Sequence, residues 1–371
     1  MQNNYLPGAS TVHFEDVIKE RIFKKLNTTN LKTLKSLRES YTLVKFKLGH
    51  APMMMDFVTH GDKDPYLFVE YKKSYYNFKQ HVDHAESTLS AMHIKLLEFI
   101  SLEIANGKRL EEIALLKYLL SLKEVSVRHF VDYMLENYGV STTFASIEGA
   151  VNVLSMSFIK DADAKKYGGL PLVKLANDII VLNEGFENLY SNQEFKAYVD
   201  DALDYGEQRF ISDYDPKKYY HGFKLYGSYT RKDACRILNW AKDESSVVYG
   251  YKIKNDTCPI FVTYEKSNDI SDSTKYEDRF IDCNNFHWLT RSRVNLFSKE
   301  VTAIEKAKTL KLLFIKKSDD EGAEFYFMGE VTHKRSIGSS IKNNDQELPI
   351  VEVLYAMNVP VGPKLYKYFE G

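Results

Sequence analysis

The sequence predicts an α+β protein in two parts: an all-α domain over residues 1–212, then a mainly β domain over residues 213–371. The second part reads as a small, partly closed barrel with one helix beside it. Three observations predict this. Apolar residues recur at helical spacing from His13 to about Gly206. Beyond Asp213 they gather in short β-branched and aromatic runs between polar turns. Between the two, Ser212–Lys218 (SDYDPKK) puts a proline and charges together, as a linker does.

The helical elements follow in order. Phe14, Val17, Ile18, Ile22, Phe23 and Leu26 form one amphipathic stripe, and Leu31, Leu34, Leu37, Tyr41 and Leu43 a second. Ser90–Ala105 and Arg109–Leu122 read as two apolar helices broken at Asn106-Gly107, residues that readily end a helix in the left-handed conformation. Further helices are expected at about 126–138, 143–157, 170–178 and 193–206.

In the second half, strands are expected at Ser245–Lys254, Pro259–Tyr264, Lys311–Lys317, Phe325–Val331 and Pro349–Met357. Ser318–Glu324 (SDDEGAE) joins two of them as a hairpin turn, with Gly322 free to take positive φ. One helix interrupts the series. Thr230 caps it, Asp233 completes a capping box, and Ala234, Ile237, Leu238 and Trp240 form its apolar face.

Bulk properties bound the function. At 371 residues the chain suits two or three domains. Hydrophobic residues at 44% and charged residues at 27% are ordinary for a globular protein, so long disorder is not expected. The aromatic content is unusual, with 26 Tyr and 22 Phe against 2 Trp, and tyrosine packs while keeping a polar tip for a partner. A net charge of -1 argues against a surface that is basic throughout. From Ile211 to Gly371 there are 25 basic and 23 acidic residues, so a basic face there requires segregation. Cys235, Cys258 and Cys283 are odd in number and lack zinc-site spacing, which predicts reduced thiols. No apolar run is long enough to span a membrane, and Met1–Ser10 lacks the regions of a signal peptide, so a cytoplasmic location is expected.

No catalytic apparatus is legible. A glycine-rich phosphate loop ending in Lys and Ser or Thr is missing, and Gly168-Gly169 lacks its spacing. His81 and His84 share a helix face without a third ligand, so neither a metal nor a cofactor is expected. Lys266, Asp278 and Asp282 could form a metal-dependent nuclease cluster or belong to a solvated loop between strands.

The segment from Tyr219 to Arg293 interleaves aromatic and basic residues. A protein that inspects one base of a duplex must hold it between flat faces and read its edge by hydrogen bonds, while cations around the pocket grip phosphates. The same aromatics also suit a barrel core, and both readings stand at this point.

A resemblance bears on the choice. The runs LYGSYTRKDACRILNW, VVYGYKI, PIFVTYEK, STKYEDRFIDCNNFHWLTRSR and LLFIKKSDDEGAEFYFMGEV resemble the C-terminal domain that follows a superfamily 2 helicase motor in many bacterial proteins. They are similar in particular to the SRA-like target recognition domain of SauUSI-type modified-cytosine-dependent type IV restriction enzymes. LPGASTVHFEDVIKERIFKKL, KLGHAPMMMDFV and ISLEIANGKRLEEIALLKYLL resemble the helical coupler of those enzymes. The resemblance implies a helical coupler at 1–212 and an SRA/PUA-like barrel at 213–371. It also implies recognition of 5-methylcytosine by base flipping, with 5-hydroxymethylcytosine a second candidate. The partners it implies are double-stranded DNA with methylated cytosine and a helicase and nuclease module in cis or in trans, with no membrane.

The resemblance does not supply pocket positions, so chemistry selects them. Tyr251, Tyr264, Tyr276 and Trp288 are the candidate walls. Asp278 is the candidate acceptor for the cytosine amine, with a surface salt bridge as its alternative. Candidate phosphate contacts are Arg231 and Lys232 in the first turn of the helix after Thr230, with Lys266, Arg291, Arg293, Lys334 and Arg335. The competing readings are a protein-interaction scaffold for a helicase motor and the metal-dependent nuclease.

Overall fold

A computed structural model describes residues 33–265, 278–343 and 346–370. The stripe from Phe14 to Leu26, Lys266 and Tyr276 lie outside the described residues. The chain divides into two compact units. Among the described residues one runs to Asp215 and also takes Asn239–Asp243, and the other holds Pro216–Leu238 and continues from Glu244.

The first unit is helical. In order come α1 (Leu34–Leu48), α2 (Met54–His60), α3 (Tyr66–Lys72), α4 (Tyr75–Asp83) and α5 (Ala91–Phe99), which runs on into a π-helical turn at Ile100–Ile104. Then follow α6 (Glu111–Leu122), β1 (Glu124–Ser126), α7 (Val127–Tyr138), α8 (Phe144–Leu154) and α9 (Asp161–Lys166). The unit closes with β2 (Val173–Ala176), β3 (Ile179–Leu182), α10 (Glu184–Tyr190) and α11 (Gln193–Asp213). Thr33, Ser74, Ser90, Ser126, Thr143 and Asn192 each cap a helix by accepting from a backbone N–H three residues on. The break after α5 falls where the sequence placed it, with Gly107 at φ 74°.

Two features hold this unit together. Phe57, Phe68, Tyr75 and Phe78 form a buried aromatic cluster with centroid spacings from 4.5 to 6.4 Å. The long α11 packs against α2, α5 and α6. Its Asp201 carboxylate accepts from the N–H groups of Met54 at 2.7 Å and Met55 at 3.1 Å, capping α2 from a distance in sequence.

The unit is not purely helical. The segment expected as a helix at 170–178 instead contributes β2 to a three-stranded antiparallel sheet of order β1-β3-β2. Asn177 and Asp178 both take positive φ, 49° and 63°, and make a two-residue hairpin turn.

The second unit is built on a mixed sheet. Its elements are β4 (Tyr219–Tyr220), β5 (Phe223–Lys224), β6 (Ser228–Tyr229), α12 (Arg231–Ile237), β7 (Thr257–Thr263), β8 (Arg279–Asp282) and β9 (Asn285–Leu289). They continue with α13 (Lys299–Glu305), β10 (Leu310–Lys316), β11 (Phe325–Asn343), β12 (Gln346–Met357) and α14 (Pro363–Glu370). The strand order is β7-β10-β11-β12-β9-β8, with β6 also paired to β11. β7 runs parallel to β10 and the other pairs are antiparallel. Bulges between Leu313 and Phe314, between His333 and Arg335, and between Phe280 and Asp282 help bend it into a curled half-barrel. The fold is therefore α+β, a helical part followed by a curled mixed sheet with a flanking helix.

The sheet is buried on both faces where β10 crosses it. Leu313 and Ile315 join a core with Tyr251, Trp288, Tyr355, α13 and α14. Phe314 points the other way and stacks on Phe261 at 4.8 Å, with Phe223 and Phe327 each 5.2 Å from it. Burial on both faces explains why β10 reads as an unbroken apolar run. Pro259 is tolerated in β7 because that strand is an edge.

The strand expected over Ser245–Lys254 does not form as one element. A 3-10 turn occupies Ser245–Val247, and only single bridges follow, Tyr249 to Tyr251, Tyr251 to Ile260 and Lys254 to Thr257. Gly250 at φ 76° interrupts the run. Among the described residues no helix is long and apolar enough to cross a membrane.

Candidate nucleic-acid interface

The aromatic constellation does not assemble into one open wall. Tyr251 and Trp288 are core residues, 2% and 3% exposed, in edge-to-face contact with centroids 4.8 Å apart. Tyr355 lies beyond Trp288 at 5.8 Å, fully buried, with a hydroxyl that makes no hydrogen bond among the described residues. In this conformation neither Tyr251 nor Trp288 offers a ring face on which a base could stack.

A polar clasp covers this cluster. The Tyr251 hydroxyl donates to Glu300 Oε2 at 2.6 Å, and Arg291 donates to the other oxygen of the same carboxylate. The Arg291 guanidinium also lies 4.9 Å from the Tyr251 ring centroid. Burial, then the Glu300 carboxylate, push the Tyr251 phenol far above its ordinary range, so it stays a donor. Glu300 comes from the first turn of α13, which Val301 and Ile304 anchor in the core.

The other pocket candidates lie elsewhere. Tyr264 packs on Phe280 and Phe369, donates to Glu370 and accepts from the Phe280 N–H at 3.0 Å. Its polar tip thus ties α14 to the sheet. Asp278 is buried, and its Oδ1 accepts from the Leu289 N–H at 3.0 Å, which assigns that oxygen to the backbone. The nuclease grouping gains nothing from the geometry: Asp282 accepts from the Asn284 N–H and the Asn285 amide, and among the described residues no cluster of three metal-ligating side chains occurs.

The candidate phosphate contacts divide into packed and exposed groups. Arg231 lies over Phe325 at 4.9 Å and Phe261 at 5.5 Å, burial lowers its pKa, and its Nε makes no hydrogen bond among the described residues. Lys316 lies over the same Phe325 ring at 4.7 Å. Lys232 is half-buried beside Arg231, on a helix whose Thr230 and Asp233 form the expected capping box. Arg291 is held by Glu300, as above. Lys334 is exposed and donates to Asn285 at 2.7 Å, and Arg293 and Arg335 are exposed.

Strand register brings two arginines into line that the sequence left unrelated. On the sheet face opposite the Trp288 core, Arg279, His287, Leu354 and Arg335 sit directly across from one another on four successive strands. At about 4.8 Å per strand the two arginine positions are roughly 14 Å apart. Glu352 on this face is held below its ordinary carboxylate range by Ser339, against the effect of burial, with help from His287 and Arg279. Beyond β9, whose pairing with β12 ends at Glu352, β11 and β12 run on as a two-stranded arm to Asn343 and Gln346. Its described residues carry Lys342 directly across from Glu347, while Lys334 and Arg335 lie at its base, where β9 still pairs with β12. Sequence reasoning counts Arg279 among the basic residues of the Tyr219–Arg293 segment without selecting it, and misses Lys342 and Glu300, because register across strands and the Tyr251 clasp have no local signature.

Residues 37–212 match a family described as Domain of unknown function (DUF8090), and residues 223–369 match a second, Domain of unknown function (DUF3427). No curated protein matches the chain. Among solved structures the chain is similar to the type IV phosphorothioation-dependent restriction endonuclease ScoMcrA, at 10% identity over 80% of this chain, with a TM-score of 0.24. The chain spans 62% of the length of that structure. A second structure holds the sulfur binding domain and SRA domain of ScoMcrA complexed with phosphorothioated DNA, at 13% identity over 77% of this chain and 92% of that one, again with a TM-score of 0.24.

Proposed function

We propose that the chain binds duplex DNA as the recognition and coupling part of a type IV restriction system, with modified cytosine as the preferred target and no catalytic step of its own. On this reading it works in the cytoplasm, and a helicase and nuclease module in cis or in trans supplies the chemistry. The observation that supports it is the row across four strands of the second unit that carries Arg279 and Arg335, with the exposed Lys334 beside Arg335 at the base of the β11–β12 arm. A two-stranded ribbon fits the major groove of B-form DNA, and cations along it neutralise phosphates. The resemblance of the Tyr226–Arg293 segment to SRA-like recognition domains supports the same reading.

Base flipping sets a further requirement. Tyr251 and Trp288 can receive a cytosine only if the Arg291–Glu300 clasp over Tyr251 opens, so recognition on this reading includes release of that clasp. The exposed Leu43 and Phe46 on α1, 46% and 86% accessible, support a docking role for the helical unit toward the partner module.

The test of DNA binding is a titration of the chain with a duplex across salt concentrations, alongside Arg335→Ala and Lys342→Ala. Each phosphate contact contributes about 0.9 to the slope of log affinity against log salt, so each variant is expected to bind less tightly and to flatten the slope by about one. Slopes equal to wild type in both variants would remove these β11 cations from the interface. Absence of binding at low salt would remove the DNA reading itself.

A further inference from the structure

We infer that Asn239–Asp243 is a latch that couples the two units: five residues that leave the second unit, fill a seat in the helical unit, and return. The chain first passes between the units at Asp215, and the latch adds a second tie. Sequence spacing places Trp240 on the apolar face of α12, but the helix ends at Ile237, and Asn239 at φ 57° turns the chain away. Trp240, in the segment that belongs to the helical unit, is 1% exposed.

The seat is built around a buried arginine. Arg109 Nη2 donates to Ser146 O at 2.6 Å and to Asn239 Oδ1 at 2.8 Å, while Nε and Nη1 lie 3.5 Å from the Glu111 and Glu112 carboxylates of α6. Asn239 Nδ2 donates to Ser146 Oγ at 3.4 Å, and the Asp243 N–H donates to Phe158 O at 2.7 Å, so both ends of the segment are tied down. On α8 a glycine leaves the room: a Cβ on Gly149 would stand 2.6 Å from Asn239 Oδ1. Withdrawing Asn239 takes an acceptor from a buried guanidinium, so the segment cannot leave without disturbing the helical core. The residues on either side are fixed as well. Ala234, Cys235 and Arg236 of α12 are buried, and beyond the segment Glu244 accepts from Lys252 and Lys254. A tie this short has no slack, so a shift of α12 is felt at the seat.

The latch gives the proposed coupling role a physical path, and it rests on that reading only where DNA enters the test. Two variants of the full chain are compared. Trp240→Phe keeps a ring in the seat, Trp240→Ala empties it, and in both Trp288 is the one tryptophan left. Urea unfolding is followed by far-UV circular dichroism, chiefly from the helical unit, and by Trp288 fluorescence, from the second. Phe57→Leu, which shrinks the buried aromatic cluster of the helical unit, is then added to each. With the seat filled it is expected to lower both midpoints together, by about 0.5 M urea. With the seat empty it is expected to lower the dichroism midpoint and leave that of Trp288 in place. A saturating DNA duplex is expected to raise both midpoints in Trp240→Phe and that of Trp288 alone in Trp240→Ala. Without DNA, a Trp288 midpoint that responds to Phe57→Leu in both backgrounds or in neither overturns the latch. So does a duplex that raises the dichroism midpoint equally in both. A duplex that shifts no midpoint removes the DNA reading instead, and the latch then stands or falls on the DNA-free result.

Discussion

The Tyr251 hydroxyl donates a 2.6 Å hydrogen bond to the Glu300 carboxylate, and this bond joins the irregular segment before β7 to helix α13. The ring it carries touches Trp288, so the bond fixes the aromatic core from outside. Glu300→Ala is expected to cost about 1–3 kcal/mol, because it leaves a mostly buried phenol without its acceptor. The Arg291 pair adds little to this, since both side chains are partly exposed, 43% and 33%, and such pairs contribute about 0–1 kcal/mol. In a Tyr251→Phe background the cost of Glu300→Ala should therefore fall below about 1 kcal/mol. Urea unfolding followed by tryptophan fluorescence measures this cycle, and equal costs in both backgrounds would show that Glu300 acts without Tyr251.

A pH dependence resides in the helical unit. Burial pushes the Asp201 carboxyl up to about 6 from an ordinary 3.8, although the Met54 and Met55 N–H groups oppose the shift. A carboxyl whose pKa is higher folded than unfolded stabilises the fold fully below about pH 4, and that contribution disappears as pH rises through 6. At about 1.4 kcal/mol per unit the change is roughly 3 kcal/mol. Asp201→Asn does not titrate. The stability of wild type relative to this variant should thus fall by roughly that amount between pH 4 and pH 7, read by denaturant unfolding monitored at helical circular dichroism. A difference that stays constant over this range contradicts the assignment.

Gly206 sits within α11 where the helix meets the backbone of Ala105. A Cβ there would stand 2.8 Å from Ala105 Cα and 3.0 Å from its carbonyl oxygen. Alanine normally gains about 0.8–1 kcal/mol over glycine in a helix. Here the sign should reverse: Gly206→Ala is expected to destabilise by about 1–3 kcal/mol, because the contact is backbone and α11 must shift to relieve it. Thermal unfolding checks this, and a raised Tm would show that the helix moves without cost.

Much of the architecture was legible because it depends on local chemistry. Thr230 and Asp233 announce their capping box, Gly322 its turn, and Asn106-Gly107 the break before α6. β7 and β10 read as strands because both are apolar on two faces. The hairpin at Asn177-Asp178 was missed although the pair itself is a turn signal, since LPLVKLA before it carries leucine and lysine, which suit helices as well. Ser245–Lys254 read as a strand on composition, and Gly250 with a bridge-only partner overrode it. Of the candidate site, residue types were visible and their surroundings were not. Tyr251 and Tyr264 look alike in sequence, yet one is sealed under Arg291 and the other ties down α14. Arg279 and Arg335 are 56 positions apart in the chain and meet only through the register of four strands.

The most direct measurement is a pair of titrations at several salt concentrations, with one duplex carrying 5-methylcytosine and its unmodified twin. The account predicts tighter binding of the modified duplex, by about tenfold, which corresponds to about 1.4 kcal/mol of discrimination. It further predicts that the preference persists as salt rises while both affinities fall together. Equal affinity for the two duplexes at every salt concentration would contradict it.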